Sequence, residues 1–223
     1  MSERKKINPG ETRLPEIVPI FPLSGVLLLP RGRLPLNVFE PRYLNMTRDA
    51  LADPDPYIGI VQPRRPERQH PDDRPAVYGT GCLGRITAHR EIEGGQLLVS
   101  LAGVSRFDIV RELPLRRLYR RAAVDYRPYR ADLRTEATGA IDRDRLLATL
   151  KGYFPAQGLA ADWDAINDSS DEYLVTGLSM VCPFTPREKQ ALLESPDMRE
   201  RCRVIIALME MSMLGEQGDG ARH

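Results

Sequence analysis

The residues with the clearest chemical character are eight arginines between positions 111 and 134. Tyrosines are interleaved with them: Tyr119, Tyr126 and Tyr129. Guanidinium groups bind phosphate oxygens and aromatic rings stack on bases, so this combination is typical of a nucleic-acid-binding surface. The candidate contacts are Arg116, Arg117, Arg120 and Arg121. Under this interpretation the chain is an RNA- or DNA-binding module.

Two features of the same segment favour an ordinary charged surface instead. Neighbouring residues of a strand point to opposite sides of the sheet, so Arg120 and Arg121 need not belong to one patch. Acidic residues that can neutralise the arginines also stand nearby in sequence: Asp108, Glu112, Asp125 and Asp132. The formal net charge of +1 gives the whole chain no general attraction for polyanions. Nucleic acid is therefore the less favoured partner.

No pattern in the sequence predicts catalysis. The phosphate-binding string Gly-x-x-x-x-Gly-Lys-Ser/Thr does not occur. The acidic run at residues 162–168 fails as a calcium loop, because Asn167 stands where glycine is needed and Tyr173 where glutamate is needed. We expect this run to be a solvated loop between two helices. We predict no catalytic residue, no metal ligand and no cofactor. An unrecognised hydrolase would require a buried polar pocket that holds a histidine, cysteine or carboxylate with a perturbed pKa.

Composition is that of an ordinary globular protein, with 42% hydrophobic and 28% charged residues. Three scattered cysteines, Cys82, Cys182 and Cys202, predict buried free thiols in a reducing compartment. No apolar run approaches the roughly 20 residues of a membrane helix. The basic N-terminus also lacks the apolar core of a signal peptide. We expect a cytoplasmic chain without membrane contact.

The chain is organised around residues 17–51, which predict a strand, a turn, a second strand and a helix. The first strand is expected over residues 17–29, kinked by its prolines. Pro30 and Gly32 supply the turn, and the second strand covers residues 34–39. Pro41 then opens the helix, at a position that tolerates a missing N–H group.

A β-rich section follows and predicts a closed or nearly closed barrel. Short apolar runs separated by glycine-marked bends are typical of such barrels. Strands are expected at residues 57–62, 81–88, 96–101, 104–110 and 118–126. The proline-rich stretch 63–76 predicts an exposed loop, and residues 93–95 predict a hairpin turn.

Helical periodicity begins at Ile141 and continues to the end of the chain. Helices are expected from residue 141, over residues 170–181, from a capping box at Thr185 and Glu188, and from Ser195 to Gly215. The fold class is therefore α+β. The predicted organisation is a flexible tail (1–14), a barrel subdomain (15–130), a helical subdomain (136–215) and a second flexible tail (216–223).

Several segments resemble the N-terminal substrate-binding domain of Lon proteases. They are IFPL at residues 20–23, LLLPRGRLPLNVFEPRY at 27–43, the glycine-rich segments 79–86 and 95–107, and the closing segments 188–194 and 197–201. Their order and spacing cover roughly residues 15–215. The resemblance is closest to bacterial proteins that consist of this domain alone.

This resemblance implies a pseudo-barrel like the PUA fold, followed by a helical bundle. Full-length Lon proteases continue into an ATPase module and a Ser-Lys proteolytic module, whereas this sequence is expected to be a stand-alone, non-catalytic module. The implied partners are unfolded or extended polypeptides, or a protease to which clients are delivered in protein quality control. Self-association into a homo-oligomer is a further expectation.

The resemblance also implies a surface groove for extended polypeptide. The apolar residues of the two N-terminal strands cannot all point inward if the strands keep a period of two. The predicted peptide-binding residues are Leu28, Leu36, Phe39, Arg42 and Tyr43. The alternative is that both faces are covered, one by the barrel core and the other by the helices.

Overall fold

A computed structural model describes residues 14–65, 74–134 and 140–219 of the chain. Residues 1–13 of the predicted N-terminal tail lie outside the described residues. The same is true of residues 66–73 of the predicted loop, residues 135–139, and residues 220–223 at the C-terminus.

Within these ranges six strands form one mixed sheet. They are β1 (Ile17–Pro22), β2 (Arg33–Val38), β3 (Tyr57–Val61), β4 (Thr80–Ile92), β5 (Gln96–Arg116) and β6 (Tyr119–Asp125). Their order is β2-β5-β4-β3-β1-β6, and β6 also pairs with β5. Five strands therefore close into a ring, and β2 is added to it on β5. The predicted barrel and the α+β class are confirmed.

The strand predicted over residues 17–29 is shorter in the structure. It also does not pair with β2, as a strand–turn–strand pattern would suggest. β1 ends at Pro22, and residues 23–29 form an irregular segment rather than a strand. β1 pairs with β3 in parallel and with β6 in antiparallel orientation, whereas β2 pairs with β5. Pro22 cannot donate to a ladder, which explains the early end of the strand.

The two strands expected at residues 96–101 and 104–110 are one continuous strand, β5. Gly103 lies between them, where the segment preceding β2 crosses the barrel. The Gly103 N–H group donates to the Gly32 carbonyl, and the Gly103 carbonyl accepts from the Arg31 N–H group, both at 2.8 Å. A Cβ atom on Gly103 would lie 1.9 Å from the Leu29 carbonyl oxygen. Only glycine permits this close approach of the two backbones.

Six α-helices lie in the described part of the chain. They are α1 (Pro41–Leu51), α2 (Arg143–Ala156), α3 (Trp163–Asp168), α4 (Asp171–Val181), α5 (Pro186–Glu194) and α6 (Met198–Asp219). The predicted capping box is present: the Glu188 N–H group donates to Thr185 Oγ1, and the Thr185 N–H group donates to Glu188 Oε2. Short 3-10 turns occupy Glu93–Gly95 and Arg127–Leu133.

Two details of the helical region differ from the prediction. The acidic run expected to be a loop contains the short helix α3, because the Asp162 side chain accepts from the Ala165 N–H group and caps it. Gly215 does not end the last helix, which continues to Asp219. A single glycine costs a helix only about 1 kcal/mol, so the preceding turns can extend through it.

The apolar core has two parts. A smaller cluster fills the barrel interior and includes Val18, Ile20 and Phe107. The larger cluster is shared by the barrel, α1 and the C-terminal helices, and includes Leu28, Tyr43, Leu150 and Ile205. The helices therefore pack on the barrel through a continuous apolar contact.

A buried arginine adds polar links to this contact. Arg106 lies on β5 with its side chain 4% exposed. Its Nε and Nη2 atoms donate to the two carboxylate oxygens of Asp132, each at 2.9 Å. Its Nη1 atom donates to the carbonyls of Leu193 and Ser195, at 3.1 and 2.5 Å. The guanidinium thus joins a barrel strand, the 127–133 turn and the end of α5.

A second arginine lies in the same junction. Arg201, on α6, donates from Nε to the Leu192 carbonyl at 2.9 Å. Burial and the neighbouring charge of Arg106 lower the pKa of Arg201 to about 10, and the Asp132 carboxylate opposes this shift. We call Arg106, Asp132 and Arg201 the arginine junction.

Candidate functional site

Two of the predicted peptide-binding residues belong to the core. Leu28 is 1% exposed and Tyr43 is 4% exposed, so the prediction that they line a surface groove is wrong. The Tyr43 ring stacks on Phe21 with centroids 4.1 Å apart. Leu28 lies in the irregular segment before β2, where the alternation of a strand does not apply. Its neighbours Leu27 and Leu29 are buried with it.

The other three predicted residues are at least partly accessible, and the Arg42 side chain is 17% exposed. Leu36, on β2, is half-buried, and Phe39, just after β2, is 60% exposed. The Arg42 guanidinium donates from Nε to Glu40 Oε2 at 3.0 Å and lies over the Tyr43 ring. A peptide-binding role for these three residues stays a prediction.

A groove begins at the N-terminal end of β2 and runs beside α4. Its volume is about 460 Å³, within the range of ligand sites. Gly32 and Arg33 line one side, and the other side is formed by Tyr173, Gly177, Met180 and Val181. Tyr173 is 75% exposed and Val181 is 83% exposed. We call this feature the α4 groove.

The α4 groove was not predicted from the sequence. Tyr173 and Val181 lie on the helix predicted over residues 170–181, together with Leu174 and Leu178, and the structure buries only the latter two. A signal was present, since residues 173, 177, 180 and 181 recur at helical spacing as a second stripe. That stripe faces the groove instead of the core.

The arginines at the tip of the β5–β6 hairpin are paired with α1. Arg117 Nη1 lies 2.6 Å from Asp49 Oδ1, and Arg116 Nε lies 3.4 Å from Asp49 Oδ2. Partial burial tends to raise the pKa of the Asp49 carboxyl, but hydrogen bonds from Tyr119 and Arg117 outweigh this and lower it. The carboxylate therefore stays charged and occupies these guanidinium groups.

The other two candidate arginines are also engaged within the protein. Arg120 is buried, and its Nε atom donates to Glu112 Oε2 at 2.9 Å. Arg121 donates from Nη2 to the Pro114 carbonyl at 3.2 Å. These contacts engage the four arginines at three places: the Asp49 carboxylate, the Glu112 carboxylate and the Pro114 carbonyl. The arrangement disfavours a continuous nucleic-acid-binding surface.

The three cysteines are free and buried, as predicted. Burial raises the pKa of each thiol, most strongly for Cys82, so none has the character of an activated nucleophile.

In the described part of the chain, no group of three or more histidine, cysteine, aspartate or glutamate side chains is arranged to hold a metal ion. Nor does any helix there have the length and apolar character needed to cross a membrane.

Comparisons with known proteins agree with the fold. A family model, described as the ATP-dependent protease La (LON) substrate-binding domain, matches residues 17–211. Lon protease 2 of Myxococcus xanthus is 27% identical over 199 residues, which cover 88% of this chain and 24% of that protein. The Lon protease of Dictyoglomus thermophilum is 24% identical over 208 residues, which cover 91% of this chain and 25% of that protein. The chain spans about a quarter of the length of these curated relatives.

Two solved structures have a similar fold. The Lon N-terminal domain protein from Xanthomonas campestris superposes with a TM-score of 0.59 at 20% identity, covering 86% of this chain and 97% of that chain. The N-terminal domain of the Mycobacterium avium complex Lon protease also gives a TM-score of 0.59, at 19% identity, covering 87% of this chain and 98% of that chain.

Proposed function

The chain belongs to the LON substrate-binding domain family, and on that premise we propose that it binds extended or unfolded segments of other polypeptides. The α4 groove is the observation that carries the proposal. Two large apolar side chains, Tyr173 and Val181, stay exposed beside a cavity of about 460 Å³. Exposed apolar surface that lines a groove is typical of protein-interaction sites.

A second accessible apolar region supports the same proposal. Leu36 and Phe39 lie along β2 and at its end, and Arg42 follows in the first turn of α1. β2 connects this region to the α4 groove, so both can contact one extended segment. We propose that the role is recognition without catalysis, and that bound segments are passed to a protease in protein quality control.

Binding can be measured by fluorescence anisotropy with a labelled polypeptide that is kept unfolded by reduction and alkylation. The same labelled polypeptide in its native, disulfide-bonded state is the reference ligand. We expect the unfolded form to bind and the native form to bind at least about tenfold more weakly, because only the unfolded form presents extended apolar segments. Equal binding of both forms, or of neither, would contradict the proposal.

The site is tested with Tyr173→Ser combined with Val181→Ser. Met211→Ser is the matched control, since Met211 is also an exposed apolar residue of a helix but does not line the groove. The double variant should weaken binding of the unfolded polypeptide about tenfold or more, whereas the control should leave it unchanged. Equal effects of the two changes would place the binding surface elsewhere.

A further inference from the structure

The outer edge of β2 is open. Within residues 14–65, 74–134 and 140–219, β2 pairs with β5 alone and stands at the end of the strand order. Every other strand there has a partner on both sides for at least part of its length, because β6 closes the ring, although residues 88–92 of β4 pair with β5 alone. An open edge presents backbone N–H and C=O groups that an incoming strand can use.

The register shows which groups of β2 face this open edge. Pro35 is paired with Ser100, and the Ser100 carbonyl accepts from Thr87 Oγ1 on β4, on the side away from β2. Pro35 therefore also directs its backbone groups away from β5. Since alternate residues of a strand point the same way, Arg33 and Asn37 share this direction. The edge thus offers two N–H groups and three carbonyls, and its only missing donor is at proline.

The α4 groove lies at the first residue of this edge. Arg33 belongs both to the edge and to the groove lining. Its guanidinium has no hydrogen-bond or ion-pair partner among the described residues. The groove therefore combines an apolar wall, formed by Tyr173 and Val181, with the Arg31–Glu172 ion pair and the unpaired positive charge of Arg33.

We propose that a bound polypeptide adds to β2 as an extra strand and places one end in the α4 groove. Unpaired backbone groups on β2 select an extended segment over a helix or a folded surface. Tyr173 and Val181 select an apolar side chain at the end of that segment, and Arg33 selects an acidic residue beside it. The inference rests on the proposed function, because it specifies how the same polypeptide is held.

One pair of variants isolates the backbone contact. Asn37→Pro removes the outward N–H group of β2 and leaves the ladder with β5 intact, since Pro35 already occupies an equivalent position. Asn37→Ala is the matched control, because both changes lose the side-chain hydrogen bond to Gln96 but only proline removes the N–H group. Asn37→Pro should weaken binding of the unfolded polypeptide at least about fivefold relative to Asn37→Ala. Urea midpoints confirm that both variants fold.

The second pair of variants tests the groove. Nothing lies within 4 Å of a Cβ atom placed on Gly177, so a side chain there enters open space. Gly177→Gln should obstruct the groove with a long neutral side chain and reduce binding at least about fivefold, whereas Gly177→Ala should have little effect. Both replacements favour the helix, so neither should reduce folding.

Backbone-modified peptides separate strand addition from a grip on side chains alone. A short peptide that retains binding is selected from overlapping fragments of the unfolded polypeptide. It is then N-methylated on alternate amides, in the two possible frames. Strand addition requires that methylation in one frame abolishes binding and that methylation in the other has little effect, because only alternate amides face β2.

The outcomes distinguish the inference from the proposed function. Strand addition is supported if methylation in only one frame abolishes peptide binding and Asn37→Pro weakens binding of the unfolded polypeptide. Normal binding of the unfolded polypeptide by Asn37→Pro, with equal binding of both methylated frames, overturns strand addition and leaves the proposed function standing. If the wild-type protein binds no unfolded polypeptide, the proposed function is overturned, and the inference is overturned with it.

Discussion

Replacing Arg106 by methionine should strongly destabilise the fold. The change keeps a long side chain but removes the guanidinium that bridges β5, the 127–133 turn and the end of α5. Asp132, whose side chain is 9% exposed, then remains as a buried carboxylate without its bidentate partner. The carbonyls of Leu193 and Ser195 lose their donor from Arg106 as well.

The size of the effect follows from the burial of this pair. Removing one partner of a buried ion pair typically costs about 3–5 kcal/mol, because the other charge is left uncompensated. In a domain of this size each kcal/mol lowers the melting temperature by about 2–4 °C. We therefore expect Arg106→Met to lose about 4 kcal/mol of unfolding free energy and to melt about 8–16 °C lower.

Urea unfolding at neutral pH, followed by tryptophan fluorescence and by circular dichroism, measures the change. Arg127→Met is the matched control. Arg127 also forms a bidentate ion pair, with Asp125, but its side chain is 79% exposed. Exposed pairs contribute only about 0–1 kcal/mol. Equal losses for the two variants, or a loss below about 1 kcal/mol for Arg106→Met, would refute the structural role of the arginine junction.

Three further predictions concern a turn, a glycine and the thiols. Leu118 is exposed and has φ 72° in the β5–β6 turn, a backbone conformation that favours glycine, so Leu118→Gly should raise the unfolding free energy by about 1 kcal/mol. Leu118→Ala should not raise it, and a lower unfolding free energy for Leu118→Gly would contradict backbone strain at this position. Gly103→Ala should lower the unfolding free energy by more than about 3 kcal/mol in urea, because its Cβ atom would overlap a backbone oxygen. Gly177→Ala should not lower it, and similar urea midpoints for the two variants would disprove the close approach at Gly103. Burial raises the pKa of Cys182 and Cys202 from 9.0 to about 11, so native thiols should resist alkylation at mildly alkaline pH until urea is added. The contribution of these neutral thiols to the unfolding free energy is complete below pH 9 and is lost as the pH rises towards about 11. Urea unfolding midpoints measured as a function of pH check this.

Elements with local signals could be predicted from the sequence. β3 is a short apolar run bounded by prolines, and α5 begins at a capping box, so both were located to within a residue or two. The partners of β1 could not be predicted. β1 lies between β3 and β6, and Ile17 is paired with Ala123, far along the chain. No local pattern encodes that pairing, since it depends on closure of the whole ring.

The same distinction applies to the candidate site. Phe39 was predicted to be accessible and is exposed, whereas Leu28 and Tyr43 were assigned to a surface that tertiary packing buries. Strand alternation was the wrong rule for Leu28, because the chain leaves the strand conformation at Pro22. Arg106 was not distinguished from the other arginines, since its importance comes from contacts 26 and 89 residues away.

Closure of the ring has a consequence for synthesis of the protein on the ribosome. β1 is made early, but its antiparallel neighbour, β6, is complete only at Asp125. Translation proceeds at about 5–20 residues per second, so the nascent β1 waits roughly 5–20 s for the 106 residues that separate Ile17 from Ala123. During that interval an apolar strand emerges with its final neighbour still unmade. A newly made chain would therefore leave one edge of β1 unpaired for several seconds before the ring can close.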